Sequence, residues 1–129
     1  GTGSGFQATI LAQLVDRVYS VERIEPLLLK AKERFRKLGL RNITAELSDG
    51  SFGWKRHAPY NGIITTAAPQ AIPDELLHQL APDGILVIPV GTGDVQDLRV
   101  LRRIGNSSEF DEEIVEQVKF VPLLGGLAR

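Results

Sequence analysis

The sequence predicts an α/β protein: a doubly wound, mostly parallel sheet of Rossmann-like type that ends in an antiparallel hairpin. Three observations carry this. A glycine-rich turn, GTGSG, leads straight into an apolar-periodic helix. Short β-branched runs then alternate with helical segments, the pattern of βαβ units and a parallel sheet. The last third changes to alternating apolar and charged residues on either side of GNSS, the pattern of a hairpin with one solvated face.

The elements follow in order. In FQATILAQLV, the apolar residues Phe6, Ile10, Leu11, Leu14 and Val15 recur at helical spacing. RVYSVE is β-branched and aromatic and predicts a short buried strand over Val18 to Val21, closed by the acid Glu22. RIEPLLLKAKERFRKLG reads as a second helix, with Pro26 tolerated in its first turn and Gly39 as its stop. Leu28, Ala31, Phe35 and Leu38 form its apolar stripe, so its cluster of basic residues is a solvated face. NITAEL gives another strand, and SDGS turns the chain.

A loop from Phe52 to Pro59 carries Trp54. YNGIITTAA follows, apolar on both faces and suited to the middle of a sheet. DELLHQL predicts a helix with an acidic start, and Pro82, Asp83 and Gly84 turn the chain into the buried strand ILVIPV. DLRVLRRI and EEIVEQVKFVPL complete the hairpin. With 129 residues, enough for one core, and no repeat or linker, a single domain over residues 1–129 is expected.

Composition narrows the chemistry. Fifteen basic against sixteen acidic residues leave a net charge of −1, which gives no bulk attraction for nucleic acid or an anionic membrane. The absence of cysteine removes disulfides, thiolate nucleophiles and cysteine-ligated metals, and suits a reducing cytoplasm. His57 and His78 lack metal-ligand spacing, so no metal is expected.

In open α/β sheets the ligand lies beyond the carboxyl ends of the strands. Gly1, Gly3 and Gly5 allow the backbone a close approach there. Glu22 follows Gly1 by about 20 residues, where an acid takes ribose hydroxyls. Asp49 and Gly50 close the next strand and can meet the edge of an adenine. The glycine spacing is G-x-G-x-G, with Phe6 where a dinucleotide fingerprint needs its third glycine, and no Walker lysine follows. That combination favours S-adenosyl-L-methionine, which carries ribose and adenine but no phosphate.

The segments GTGSGFQATILAQLV, VYSVERIEPL, DGSFGW, APYNGIITTAAPQAIPDELLHQLAPDGILVIPVG and VKFVPLLGG together resemble the bacterial protein-L-isoaspartate O-methyltransferase family, over essentially the whole chain. The resemblance implies a cytoplasmic repair enzyme that methylates the free carboxylate of L-isoaspartyl residues in damaged proteins and peptides. The ester formed lets the neighbouring backbone nitrogen close a succinimide, whose hydrolysis restores some normal aspartate.

The resemblance further implies that Gly1, Thr2, Gly3, Ser4 and Gly5 line the S-adenosyl-L-methionine pocket, with Glu22 and Arg23 at the ribose and Asp49 and Gly50 at the adenine. Thr66 and Ala67 would stand beside the methyl donor, and Val121, Pro122 and Leu123 would shape the peptide groove. Asn61 stands where the family commonly has aspartate. The family's catalytic serine precedes the first strand of its fold, so none of Ser4, Ser20, Ser48 and Ser51 takes that role. The chain is accordingly expected to be N-terminally incomplete and inactive alone. A non-catalytic adenosyl-binding module is the alternative, and a reductase with an atypical dinucleotide turn is a third.

Overall fold

The structure, a computed structural model, describes residues 1–128 and packs as two units. One holds residues up to Gly50 together with the tail from Gly125; the other runs from Ser51 to Leu124.

The first unit contains helix α1 (Phe6–Leu14), strand β1 (Val18–Glu22), helix α2 (Glu25–Lys37) and strand β2 (Ile43–Leu47). β1 and β2 pair in parallel, with Val18 opposite Ile43 and Glu22 opposite Leu47. Both acids and turns therefore emerge at one end of the pair. Ala8, Val18, Ala31 and Phe35 form the core, ringed by Leu11, Ala12, Leu40, Ile43 and Ala45. Gly5 caps α1 in the left-handed region at φ +83°, and a Cβ there would stand 2.7 Å from the Phe35 ring. Only glycine satisfies both the angle and the space.

The helices depart from expectation in which residues they bury. α2 buries Leu28, Ala31 and Phe35 as its spacing requires, but Leu38 is exposed at its C-cap. α1 packs through Ala8, Leu11 and Ala12, leaving Phe6 (69% exposed), Ile10 and Leu14 on the outside. The helix is apolar on two sides, and the small-residue side makes the close contact.

The second unit contains strand β3 (Tyr60–Ile64), helix α3 (Asp74–His78) and strands β4 (Leu80–Val90), β5 (Gln96–Arg103) and β6 (Phe110–Val118). They form a four-stranded sheet in the order β3-β4-β5-β6, parallel between β3 and β4 and antiparallel beyond. Leu76, Leu80, Leu86, Ile88, Val90 and Leu101 make its core.

The α/β class and the C-terminal antiparallel hairpin are as the sequence predicts. Two features differ. The described strands form one two-stranded and one four-stranded sheet, and β3 lies at an edge of the latter rather than in a middle position. Pro82, Asp83 and Gly84 do not precede a strand but sit inside β4, where pairing with β3 jumps from Tyr60–Leu80 to Gly62–Ile85. Asp83 takes φ +59° in this bulge. Its side chain and N–H both bond Gly105, whose loop joins β5 to β6. Gly84 is required, because a Cβ would meet the Ala81 carbonyl oxygen at 2.8 Å.

Two buried glutamines pin loops of this unit. Gln79, 3% exposed, accepts the Trp54 N–H at 2.9 Å and donates to the Phe52 carbonyl at 2.9 Å. Gln96 accepts the Phe120 N–H at 2.7 Å and donates to the Gly93 carbonyl at 2.9 Å. Replacing Gln79 with alanine strips the Trp54 N–H and Phe52 carbonyl of these partners and is expected to cost about 2–3 kcal/mol. A urea midpoint unchanged in Gln79→Ala would contradict this account of the loop.

Candidate functional site

The glycine turn lies against the carboxyl end of β1. The backbone nitrogens of Gly1 and Thr2 both donate to the Val21 carbonyl, at 3.0 and 3.1 Å. The Gly5 N–H returns to the Thr2 carbonyl at 2.9 Å and closes the turn, in which Gly3 adopts φ +54°. The hydroxyls of Thr2 and Ser20 bond each other at 2.6 Å and anchor the turn to the strand. The Ser4 carbonyl accepts from the Arg34 guanidinium of α2 at 2.8 Å.

Glu22 stands at the centre of this arrangement. It is 5% exposed, and a buried carboxylate needs hydrogen-bond donors to remain in place. Two backbone amides supply them: the Gly3 N–H donates to Oε1 at 2.9 Å and the Ile24 N–H to Oε2 at 3.0 Å. Ile24 is the N-cap of α2, so the second bond also sets the charge at the positive end of that helix. One side chain thereby links the glycine turn, the end of β1 and the start of α2. Each carboxylate oxygen offers about two lone pairs, so acceptor capacity remains for a hydroxyl donor.

The adenine-side candidates belong to the same unit. Asp49 and Gly50 follow β2, and Gly50 lies close enough to Val21 that a Cβ would contact its side chain at 3.6 Å. Asp49 Oδ2 accepts the Gly126 N–H at 3.0 Å. The Arg23 Nε donates to the Gly126 carbonyl at 3.2 Å. Gly1 to Gly5, Glu22, Arg23, Asp49 and Gly50 thus share one unit.

The remaining candidates lie in the other unit. Thr66 and Ala67 follow β3, where the Thr65 hydroxyl donates to the Ala67 carbonyl at 3.3 Å. Ala68 then bridges Pro122 in parallel, donating to the Val121 carbonyl at 2.7 Å and accepting the Leu123 N–H at 2.9 Å. Thr66–Ala67 and Val121–Leu123 lie far apart in the sequence, and the Ala68 bridge makes them neighbours. Among the described residues, no group of His, Cys, Asp and Glu is arranged to hold a metal. Sequence reasoning missed the Thr2–Ser20 hydroxyl pair and the tail; the tail's only signal was its consecutive glycines, Gly125 and Gly126.

Substituting Glu22 with glutamine turns one acceptor into an amide donor facing a backbone N–H. The expected loss is about 1–3 kcal/mol of stability, read as a lower urea midpoint. An unchanged midpoint would mean that the carboxylate does not hold these amides.

Comparison with known proteins identifies the family. The family model for protein-L-isoaspartate(D-aspartate) O-methyltransferase matches residues 1–128. The chain is 56% identical over 129 residues to the protein-L-isoaspartate O-methyltransferase of Cellvibrio japonicus, and it covers 100% of itself but 58% of that relative. A solved protein-L-isoaspartate O-methyltransferase superposes with a TM-score of 0.89 at 22% identity, covering 99% of this chain and 41% of that one. A Plasmodium falciparum structure described as a methyltransferase of the same kind, in complex with S-adenosyl-L-homocysteine, gives 0.80 at 20% identity, over 96% of this chain and 63% of that one. These structures share the Rossmann-like methyltransferase fold. The chain spans less than two thirds of the length of the Cellvibrio japonicus relative. From the glycine turn to the tail, the chain belongs to the protein-L-isoaspartate(D-aspartate) O-methyltransferase family.

Proposed function

We propose that this chain forms the S-adenosyl-L-methionine-binding part, within a single domain, of a protein-repair methyltransferase acting on the free carboxylate of L-isoaspartyl residues in proteins and peptides. The observation that carries the reading is the buried Glu22 carboxylate, aimed by the Gly3 and Ile24 amides at the carboxyl end of β1.

The residues fit an adenosyl group. Glu22 retains acceptor capacity suited to ribose hydroxyls, and the turn beside it leaves open space, since a Cβ on Gly3 would meet nothing within 4 Å. Asp49, with Gly50, offers a carboxylate acceptor suited to the adenine amino group. Thr2, Ser4 and Gly5 shape the turn, and Gly1 continues it. Thr66 and Ala67 are assigned to the methyl-donor side and Val121, Pro122 and Leu123 to the peptide groove.

When bound, S-adenosyl-L-methionine supplies a methyl group on a sulfonium sulfur. The acceptor carboxylate has an ordinary pKa of about 3.5–4 and is ionised at neutral pH, so the protein needs no general base to form the nucleophile. The residues of this chain act by holding and orienting. Alignment of reactants of this kind supplies roughly 7–11 kcal/mol. A cytoplasmic setting, with no nucleic-acid or membrane partner, accords with the near-neutral charge and the absence of cysteine. Among the described residues no helix is long and apolar enough to cross a membrane.

Two measurements on the whole protein test this. S-adenosyl-L-homocysteine is expected to bind more tightly than its 2′-deoxyribose analogue by roughly tenfold, a preference that Glu22→Ala abolishes. Equal affinities in the unsubstituted protein would refute the ribose role. A radiolabelled methyl assay is expected to label an isoaspartyl peptide and leave its normal aspartyl counterpart unlabelled; no label on either would refute the repair reading.

A further inference from the structure

The tail segment after Leu124 has no part in the reading so far, yet it closes on the candidate adenine side. The Gly126 N–H donates to Asp49 Oδ2 at 3.0 Å, and the Gly126 carbonyl accepts from Arg23 Nε at 3.2 Å. Beyond it, the Ala128 N–H donates to the Arg23 carbonyl at 2.7 Å, and the Ala128 carbonyl accepts the Glu25 N–H at 2.8 Å. Ile24 and Ala128 form a parallel bridge. The tail is therefore fastened to the turn between β1 and α2, and through Gly126 it grips Asp49, two residues beyond β2.

Gly126 is what permits this: it adopts φ +74°, a conformation that L side chains rarely take, while a Cβ on Gly125 would make an ordinary contact with Asp49 Oδ2 at 3.4 Å. A carboxylate turned by a fixed donor presents its oxygens in one direction. An adenine offers that group an amino donor, whereas a hypoxanthine offers a carbonyl oxygen that a carboxylate repels.

We propose that residues Gly125 to Ala128 form a strap that orients Asp49 for an adenine amino group, with Gly126 and Arg23 as positioning residues. This rests on the adenosyl reading above. Arg23 then acts through the tail rather than by touching the ligand.

The test is calorimetric binding of S-adenosyl-L-homocysteine and S-inosyl-L-homocysteine to the whole protein, with thermal melts to verify folding. The unsubstituted protein is expected to prefer the adenine ligand by roughly tenfold or more. Asp49→Ala sets the ratio that remains without the carboxylate. Gly126→Pro, which lacks the N–H and holds φ near −65°, should bring the preference down to that ratio. Gly126→Asn tolerates the left-handed conformation, keeps the N–H and should retain the preference. Arg23→Ala should reduce it.

A Gly126→Pro protein that keeps the full preference would overturn the strap. So would one that binds both ligands more weakly by the same factor, since that is what a merely structural tail does. Failure of the unsubstituted protein to bind S-adenosyl-L-homocysteine would instead overturn the adenosyl reading itself.

Discussion

A single buried carboxylate organises the first unit of this protein. Glu22 sits at the end of β1 with one oxygen on the Gly3 amide and the other on the Ile24 amide. Removing an acid from water is costly unless donors replace the solvent, and here the donors are backbone groups of two different turns. The consequence runs both ways. The amides keep the charge in place, and the charge keeps the glycine turn bent over the strand end and α2 started at the right residue. The Thr2–Ser20 hydroxyl pair and the Val21 carbonyl reinforce the same junction from the other side of the turn. A ligand binding there meets groups already held in position, which spares it the ordering cost that a loose loop would impose.

The proposed chemistry asks little of the protein beyond such order. A carboxylate nucleophile is ionised at neutral pH, and its attack on a sulfonium methyl needs neither a base nor a metal. What matters is which groups face which part of each reactant, and the proposed function assigns these to strand ends, glycines and short backbone bridges. The Ala68–Pro122 bridge joins the segment after β3 to the segment after β6, and Gln96 secures the Phe120 amide just before it. Buried glutamines suit this task, since one amide side chain satisfies a donor and an acceptor at once.

Much of this was legible in the sequence, because the strongest signals are local. Alternation on both sides of GNSS marked the hairpin, and Leu28, Ala31 and Phe35 marked the buried face of α2. The spacing from Gly1 to Glu22 placed the acid at a strand end, since a turn, a helix and a strand of ordinary length fill that interval. What was not legible depends on contacts distant in sequence. Gln79 and Gln96 look like ordinary polar residues until the loops they hold are seen. The exposure of Phe6, Ile10 and Leu14 could not follow from periodicity, because α1 is apolar on two sides and packing selects the side with Ala8. The Pro82-Asp83-Gly84 stretch has the composition of a turn, yet pairing on both flanks draws it into β4 as a bulge.

The central claim is that the Glu22 junction is the place where the adenosyl ligand meets the chain. Amide chemical shifts of Gly3 and Ile24, followed by NMR while S-adenosyl-L-homocysteine is added to the whole protein, address it most directly. The account predicts that both resonances move and saturate together, because both amides bond the carboxylate that the ribose approaches. Saturable binding that leaves both resonances unmoved would contradict it.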